Sequence, residues 1–464
     1  MTLPDGSHET LHELVAAEAV ACHAPAISWG LVVDGQLATS GGVGALDDGS
    51  APSADTVFRI ASMTKSFTAA AVLALRDEGV WTLDDPVARH APELAAMCGP
   101  AGSPPITLRH LLSMTAGLAT DDAWADRHLD MTMDEIDDVY RDGGLFAHRT
   151  NDAFEYSNLG FGMLGRCVRR ATGRTVQEHI TERFHHPLGM SRTTWVEPHH
   201  AEWARPYRWQ DDASIPDLPH PIGDGEISPM GGIWTTVRDL SAWVSWLDDA
   251  NRIEHRTSAT GLAHASRREL QRMQTYGGVR TLAGTSAPWG YGFGLVVRDD
   301  PSLGKVVDHS GGLPGYGTNM RWVCGTGVGA IALANTTYAP MSQVTMSMLY
   351  AYERLGGVRN ASIDVSAALQ ACGERLVELL NHWSDDAAGR LFADNVDPDE
   401  SLARRADEAR RVLAEHDHLR LVAVHPRSWA NGELEVAGSG PTFRIDIELS
   451  PLANPRVQSY EIKR

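Results

Sequence analysis

Three short stretches of this chain carry side chains able to do chemistry together. Ser62-Met63-Thr64-Lys65 sets a hydroxyl and an amine three residues apart, at helical spacing, where both can share one face. A serine hydroxyl is a poor nucleophile until a base accepts its proton. A lysine whose pKa is lowered by burial or by nearby cations can be that base, whereas arginine keeps its proton at accessible pH. Only three of the 40 basic residues are lysines: Lys65, Lys305 and Lys463. The spacing alone is weak, and taken in isolation Ser62 reads as the N-cap of the helix after it.

Glu155-Tyr156-Ser157-Asn158 is the second stretch. A tyrosinate near Lys65 is a candidate base, because a cation favours the charged phenol. Asn158 offers both a donor and an acceptor and suits either the lysine or a substrate carbonyl. The bland alternative is a buried tyrosine and an asparagine cap. His309-Ser310-Gly311-Gly312 is the third. Paired glycines in a strand allow a substrate to approach the backbone. The amide of Gly312, facing that of Ser62, would form an oxyanion hole. Asp308 reads as a solvated or turn residue.

These stretches need a framework. Apolar spacing predicts a helix over 12–24 and a hairpin of ISWGLVV and QLATSGGVG around Asp34-Gly35. A helix starts at Met63 and stops at Gly79. Helices are expected over 107–114, 133–140, 158–171, 175–184 and 233–249, the last with Trp243 and Trp246 in the core. Residues 196–228, rich in Pro, Asp and His, read as a long surface loop. Its Trp203 and Trp209 are candidates for cleft lining or for simple packing. Strands follow at 291–299, 304–312, 317–324 and 327–335, then a helix at 341–354. The fold class is α+β: a central antiparallel sheet flanked by helices, plus a helical subdomain. A boundary near 358, at Gly356-Gly357, separates domain 1–358 from a small α+β domain, 359–464. Its helices are expected at 364–383 and 401–415, with four strands after them.

Composition narrows the function classes. The 464 residues carry a formal net charge of -20, with 43% hydrophobic and 22% charged residues. That suits a folded chain and argues against nucleic acid or an anionic membrane as partner. Five separated cysteines and no HExxH suggest neither a disulfide scaffold nor a metal site. The adjacent pairs His185-His186 and His199-His200 read as surface residues. No signal peptide or membrane span is visible, so a cytoplasmic location is the expectation.

With all three stretches in order, the chain resembles the serine β-lactamase/penicillin-binding-protein superfamily, in particular its class C branch. The superfamily signatures are S-x-x-K, S-D-N and K-T-G, and here they read SMTK, YSN and HSG. Further stretches resemble the branch as well: ITLRHLLSMTAGL, FEYSNLGFGMLG, PMGGIWTTVRDLSAW and YGFGL. The likeness covers about residues 15–355 and leaves out the C-terminal domain.

The resemblance implies that Ser62 is acylated, that Lys65 and Tyr156 move its proton, and that Asn158 lies on the substrate side. The amides of Ser62 and Gly312 would hold the oxyanion. His309 stands where class C β-lactamases have a lysine, which makes strong β-lactamase activity doubtful; Ser310 and Gly311 keep the rest of that motif. The expected activity is serine-dependent hydrolysis of an amide or ester, a D-amino-acid peptide or a small ester. The alternative is acyl transfer or thioesterase cyclisation in secondary metabolism, and the third is an inactive binding module. No cofactor is implied. A homodimer or a carrier protein is the partner the C-terminal domain leaves open.

Overall fold

The computed structural model describes residues 3–198, 203–217, 223–252, 261–358 and 364–463. The chain divides into two compact units, Met1–Asn360 and Ala361–Arg464. His199 and His200 lie outside the described residues.

In the first unit, α1 (Ser7–Ala21) buries Leu11, Val15 and Ala19, one apolar stripe at four-residue spacing. The hairpin β1 (Ala26–Val33) and β2 (Gln36–Gly44) follows. Its turn holds Asp34 and Gly35 at φ 55° and 74°, the left-handed pair that matches strand twist. Six more strands return much later: β3 (Thr275–Leu282), β4 (Thr285–Tyr291), β5 (Val296–Asp300), β6 (Gly304–Leu313), β7 (Tyr316–Val323) and β8 (Val328–Ala334). They form one antiparallel eight-stranded sheet in the order β2-β1-β8-β7-β6-β5-β4-β3. β1, β7 and β8 are buried at every position, because helices cover both faces.

One face packs on α1 and on the closing helix Met341–Arg354, around Trp29, Ile27 and Leu349. The other face holds the larger core. Helix α2 (Thr64–Asp77) runs through it, buried from Thr64 to Leu75, and Gly79 at φ 78° ends it. Helix Val237–Asp249 lies against β1, β7 and β8, with Trp243 and Trp246 fully buried and stacked at 5.0 Å. A helical layer that includes α3 (Leu159–Thr172) completes this side.

Several expectations need correction. The first helix begins at Ser7, five residues early. Residues 291–299 do not form one strand: Tyr291 ends β4, and β5 starts at Val296. β3 and β4 were not anticipated at all. The segment read as loop contains a short hairpin, Tyr207–Gln210 with Ala213–Pro216. His185 is buried against Phe67 and Trp195 rather than on the surface.

The second unit is a meander of four strands, Arg420–Pro426, Asn431–Ala437, Phe443–Leu449 and Val457–Lys463, in sequential order. Helix Ala367–Asn381 packs on it and on helix Leu402–His416. Leu369, Leu376, Leu434, Ile445 and Val457 belong to a core of its own. Among the described residues, no helix is long and apolar enough to cross a membrane.

Candidate active site

Ser62 is not an N-cap. It sits in the tight turn Ala61–Met63 just before α2, and its side chain caps nothing. Ala61 holds φ 51°, a left-handed conformation that costs a non-glycine residue about 1–2 kcal/mol. Such strain persists only where the surroundings dictate it. β6 supplies that constraint, because a Cβ on Gly311 would lie 2.0 Å from the Ile60 carbonyl and 2.3 Å from Thr318 Oγ1. Only glycine lets the strand press against the turn.

Lys65 is fully buried. Its Nζ donates to Ser62 Oγ at 2.9 Å, to Asn158 Oδ1 at 2.6 Å and to the Met230 carbonyl at 2.9 Å. Burial pushes its pKa down to about 8, against the pull of Asp122, Asp126 and Asp121. Asn158 stands at the start of α3 without capping it. Its Nδ2 donates to Asp122 Oδ1 at 2.7 Å, which fixes which way the amide points. Asp121 in turn accepts the backbone N–H groups of Asn158 and Leu159 at 2.7 and 2.8 Å.

Tyr156 is half-buried, and the nearby Ser62 side chain offsets part of the effect of burial on its phenol. The Lys65 ammonium lies 4.9 Å from its ring centroid. Burial raises the Tyr156 pKa well above 10, with Tyr291 and Asp122 adding to the effect. The resting phenol is therefore neutral, not the tyrosinate considered from the sequence.

His309 is buried on β6. Nδ1 lies 2.6 Å from the Ser310 carbonyl, and Nε2 lies 3.0 Å from the Tyr291 hydroxyl. A carbonyl only accepts, so Nδ1 carries the proton and Nε2 accepts from Tyr291. Burial first, then the Lys65 charge, lowers the His309 pKa to about 3. The imidazole is neutral across physiological pH. Ser310 is exposed, and its Oγ accepts from Asn319 at 2.9 Å. Asp308, expected to be solvated, is instead buried in an ion pair with Arg321 at 3.1 Å.

Ser62, Tyr156, His309, Ser310 and Gly312 open on one cavity of about 380 Å³, within the usual size range for small-molecule sites. Lys65 and Asn158 sit behind Ser62. Trp203 and Trp209 do not line this cavity: Trp203 packs against Trp234, and Trp209 stacks on His23. The cavity also takes residues the sequence did not single out. Asp122 and Asp126 form one wall with Tyr338, whose hydroxyl donates to Asp126 Oδ2 at 2.8 Å. Burial raises the Asp126 carboxyl to about 7, with the Asp122 charge adding to it. Tyr291 was visible only as part of the YGFGL stretch, with no role attached.

A strained turn carrying a serine, a buried lysine at hydrogen-bond distance and a glycine-bearing strand across the cavity belong together. The sequence profile described as Beta-lactamase matches residues 11–353. The chain belongs to the beta-lactamase family. Protein flp of Staphylococcus aureus (strain MW2) is 27% identical over 248 residues, 53% of this chain and 49% of that protein. Penicillin-binding protein 4* of Bacillus subtilis (strain 168) is 26% identical over 57% of this chain and 58% of its own length. The chain thus spans about half the length of the curated relatives it matches. Two solved structures share the fold. The octameric penicillin-binding protein homologue from Pyrococcus abyssi superposes with a TM-score of 0.64 at 20% identity, over 96% of this chain and 91% of that one. A D-stereospecific amidohydrolase from Streptomyces sp. gives 0.56 at 23%, over 73% and 97%. The two solved structures are a penicillin-binding protein homologue and an amidohydrolase, and this chain carries their fold.

Proposed function

We propose that this beta-lactamase-family chain is an amidohydrolase that cleaves a small amino-acyl amide through an acyl-enzyme on Ser62. The observation that carries the reading is the 2.9 Å contact between Ser62 Oγ and a buried Lys65 amine. The two other oxygens that amine donates to, Asn158 Oδ1 and the Met230 carbonyl, can only accept hydrogen bonds. When Lys65 is neutral, its two N–H groups stay on those oxygens and its lone pair faces Ser62. The amine is then set to take the hydroxyl proton.

Ser62 attacks the carbonyl carbon, its proton passing to Lys65. The amides of Ser62 and Gly312 hold the developing oxyanion. Collapse breaks the C–N bond, and the neutral phenol of Tyr156 gives the leaving amine its proton and is reprotonated from Lys65. Water repeats the sequence in reverse to free the acid. Neutral His309 offers no cation to a penicillin-type carboxylate, and the carboxyl groups of Asp122 and Asp126 line the acyl side. Both features favour neutral or cationic acyl groups, and the likeness to a D-stereospecific amidohydrolase supports amide over ester.

Intact-protein mass spectrometry tests this. The protein would be exposed to a p-nitrophenyl ester, a D-alanyl amide, a peptidyl thioester and a penicillin, with Ser62→Ala as control. The reading expects a Ser62-dependent adduct and release of free acid from the D-alanyl amide. An adduct resolved only by an added amine would make the chain a transferase, and no Ser62-dependent adduct from any donor would overturn the mechanism.

A further inference from the structure

The far end of the cavity lies on the β3–β4 hairpin. Moving outward from β6, which carries His309, the sheet continues through β5 and β4 to β3. Three strand spacings of about 4.8 Å put β3 about 14 Å from β6. Arginines from β3, β5 and β7 line the cavity, namely Arg280, Arg298 and Arg321. Two of them are already neutralised. Arg298 is held by Asp300 at 3.3 Å and by the carbonyls of Arg280 and Thr285, and Arg321 is held by Asp308 at 3.1 Å.

Arg280 differs. Among the described residues it has no carboxylate partner, and its guanidinium lies 4.4 Å from the ring centroid of Trp289. Arg280 and Trp289 are diagonal neighbours across the β3–β4 pair, whose register sets Arg280 opposite Ala287. The cation–π contact seats the guanidinium over the indole, and among the described residues its side-chain N–H groups have no hydrogen-bond partner. Phe154 stands edge-on to Trp289 at 5.4 Å and lines the same cavity. This end is therefore an aromatic floor under one uncompensated positive charge, in a chain of net charge -20.

We infer that Arg280, seated on Trp289, binds the carboxylate of the substrate's leaving half, so that the substrate is a short peptide with a free C-terminus. The inference rests on the amide-hydrolysis reading above. It also assigns the two ends of the cavity: the acyl half toward Asp122 and Asp126, the leaving half along β4 toward Arg280. An extended residue spans about 3.4 Å. With the arginine side chain covering part of the gap, the carboxylate belongs about two to three residues beyond the scissile bond.

The test uses the full chain and D-alanyl di-, tri- and tetrapeptides, each as the free acid and as the C-terminal carboxamide. A charge-assisted hydrogen bond of this kind corresponds to about 10- to 100-fold in affinity. The expected result is a free acid preferred over its carboxamide by at least about tenfold in kcat/KM, carried mainly in KM and greatest for the tri- or tetrapeptide. In Arg280→Gln that ratio falls toward one, and in Arg280→Glu it inverts. A wild-type ratio near one, or a ratio that Arg280→Gln leaves in place, overturns the inference. So does a protein that cleaves neither form while a p-nitrophenyl ester still acylates Ser62. Failure of that acylation as well would overturn the amide-hydrolysis reading beneath it.

Discussion

Lys65 has to lose a proton before it can take one. Its neighbours set the pH at which that happens. Burial lowers its pKa to about 8, so the rate of Ser62 acylation should climb with pH through about 8 and level off above it. His309 is held neutral down to about 3, so no descending limb from the histidine is expected between pH 5 and 8; stopped-flow release of p-nitrophenol reads both features. Lys65→Arg keeps a cation but cannot deprotonate, and acylation should drop by at least about 100-fold. Asn158→Asp sets a carboxylate against the amine in place of a carbonyl. That favours the charged lysine and should move the ascending limb up by at least about one pH unit; an unmoved limb would mean that Lys65 does not set it. At this scale the sequence was informative. Ser62, Lys65, Tyr156, Asn158 and His309 could be singled out because three individually weak patterns, SMTK, YSN and HSG, occur together in the order of the family signatures. Asp121, Asp122 and Asp126 could not, since they are three among 60 acidic residues and their burial comes from packing remote in sequence. Nor could local sequence show that Tyr156 is neutral, because its burial and the nearby Tyr291 and Asp122 are products of the fold.

At the scale of elements, the site depends on β6 pressing against the Ala61–Met63 turn. Gly311→Ala would drive a methyl into the Ile60 carbonyl and Thr318. Overpacking of this kind costs about 1–3 kcal/mol, and relief by a shift of the turn would move Ser62 away from Lys65. The expected outcome is a lower Tm together with a loss of acylation larger than the loss of folded protein, read by calorimetry and ester turnover on the same sample. The short helix Asp122–Ala125 and its C-terminal neighbour Asp126 make the opposite kind of contribution. With a folded pKa of about 7 and an ordinary value near 3.9, Asp126 keeps its proton in the folded chain over a window where the unfolded chain has lost it. The folded state binds more protons there, so stability falls as pH rises from about 4 to about 7. Asp126→Asn removes that loss and still accepts from Tyr338. Its Tm should exceed the wild-type value by at least about 2 °C at pH 8 and match it at pH 4; equal Tm values at both would disprove the buried-acid account. The elements found from sequence were those rich in helix formers, such as α2, or continuous apolar runs, such as β8. β3 and β4 escaped because TYGGVRTL and TSAPWGY mix glycine, proline and exposed polar residues, as an edge hairpin with one wet face does.

At the scale of the whole molecule, the decisive fact is where the cores close. Both cores that flank the eight-stranded sheet draw only on residues before 361, and the third draws only on residues after it. Every side chain of the candidate site and every residue lining its cavity belongs to the first unit. The C-terminal strands could be read from alternation, as in Asn431–Ala437, where buried and partly buried positions alternate. Their sequence carries no cluster of nucleophile and base, which is why it suggested an accessory role. A chain of about 360 residues is large enough to bury a full hydrophobic core unaided. Residues 1–360 produced alone should therefore unfold cooperatively and still form the Ser62 adduct with a p-nitrophenyl ester at a rate within about threefold of the full chain, a difference of less than 1 kcal/mol in the barrier. Circular dichroism melting and intact mass would check this on one preparation. A truncated chain that folds but does not acylate would show that the second unit holds the turn or the cavity in its working geometry, and would move it from accessory to part of the enzyme.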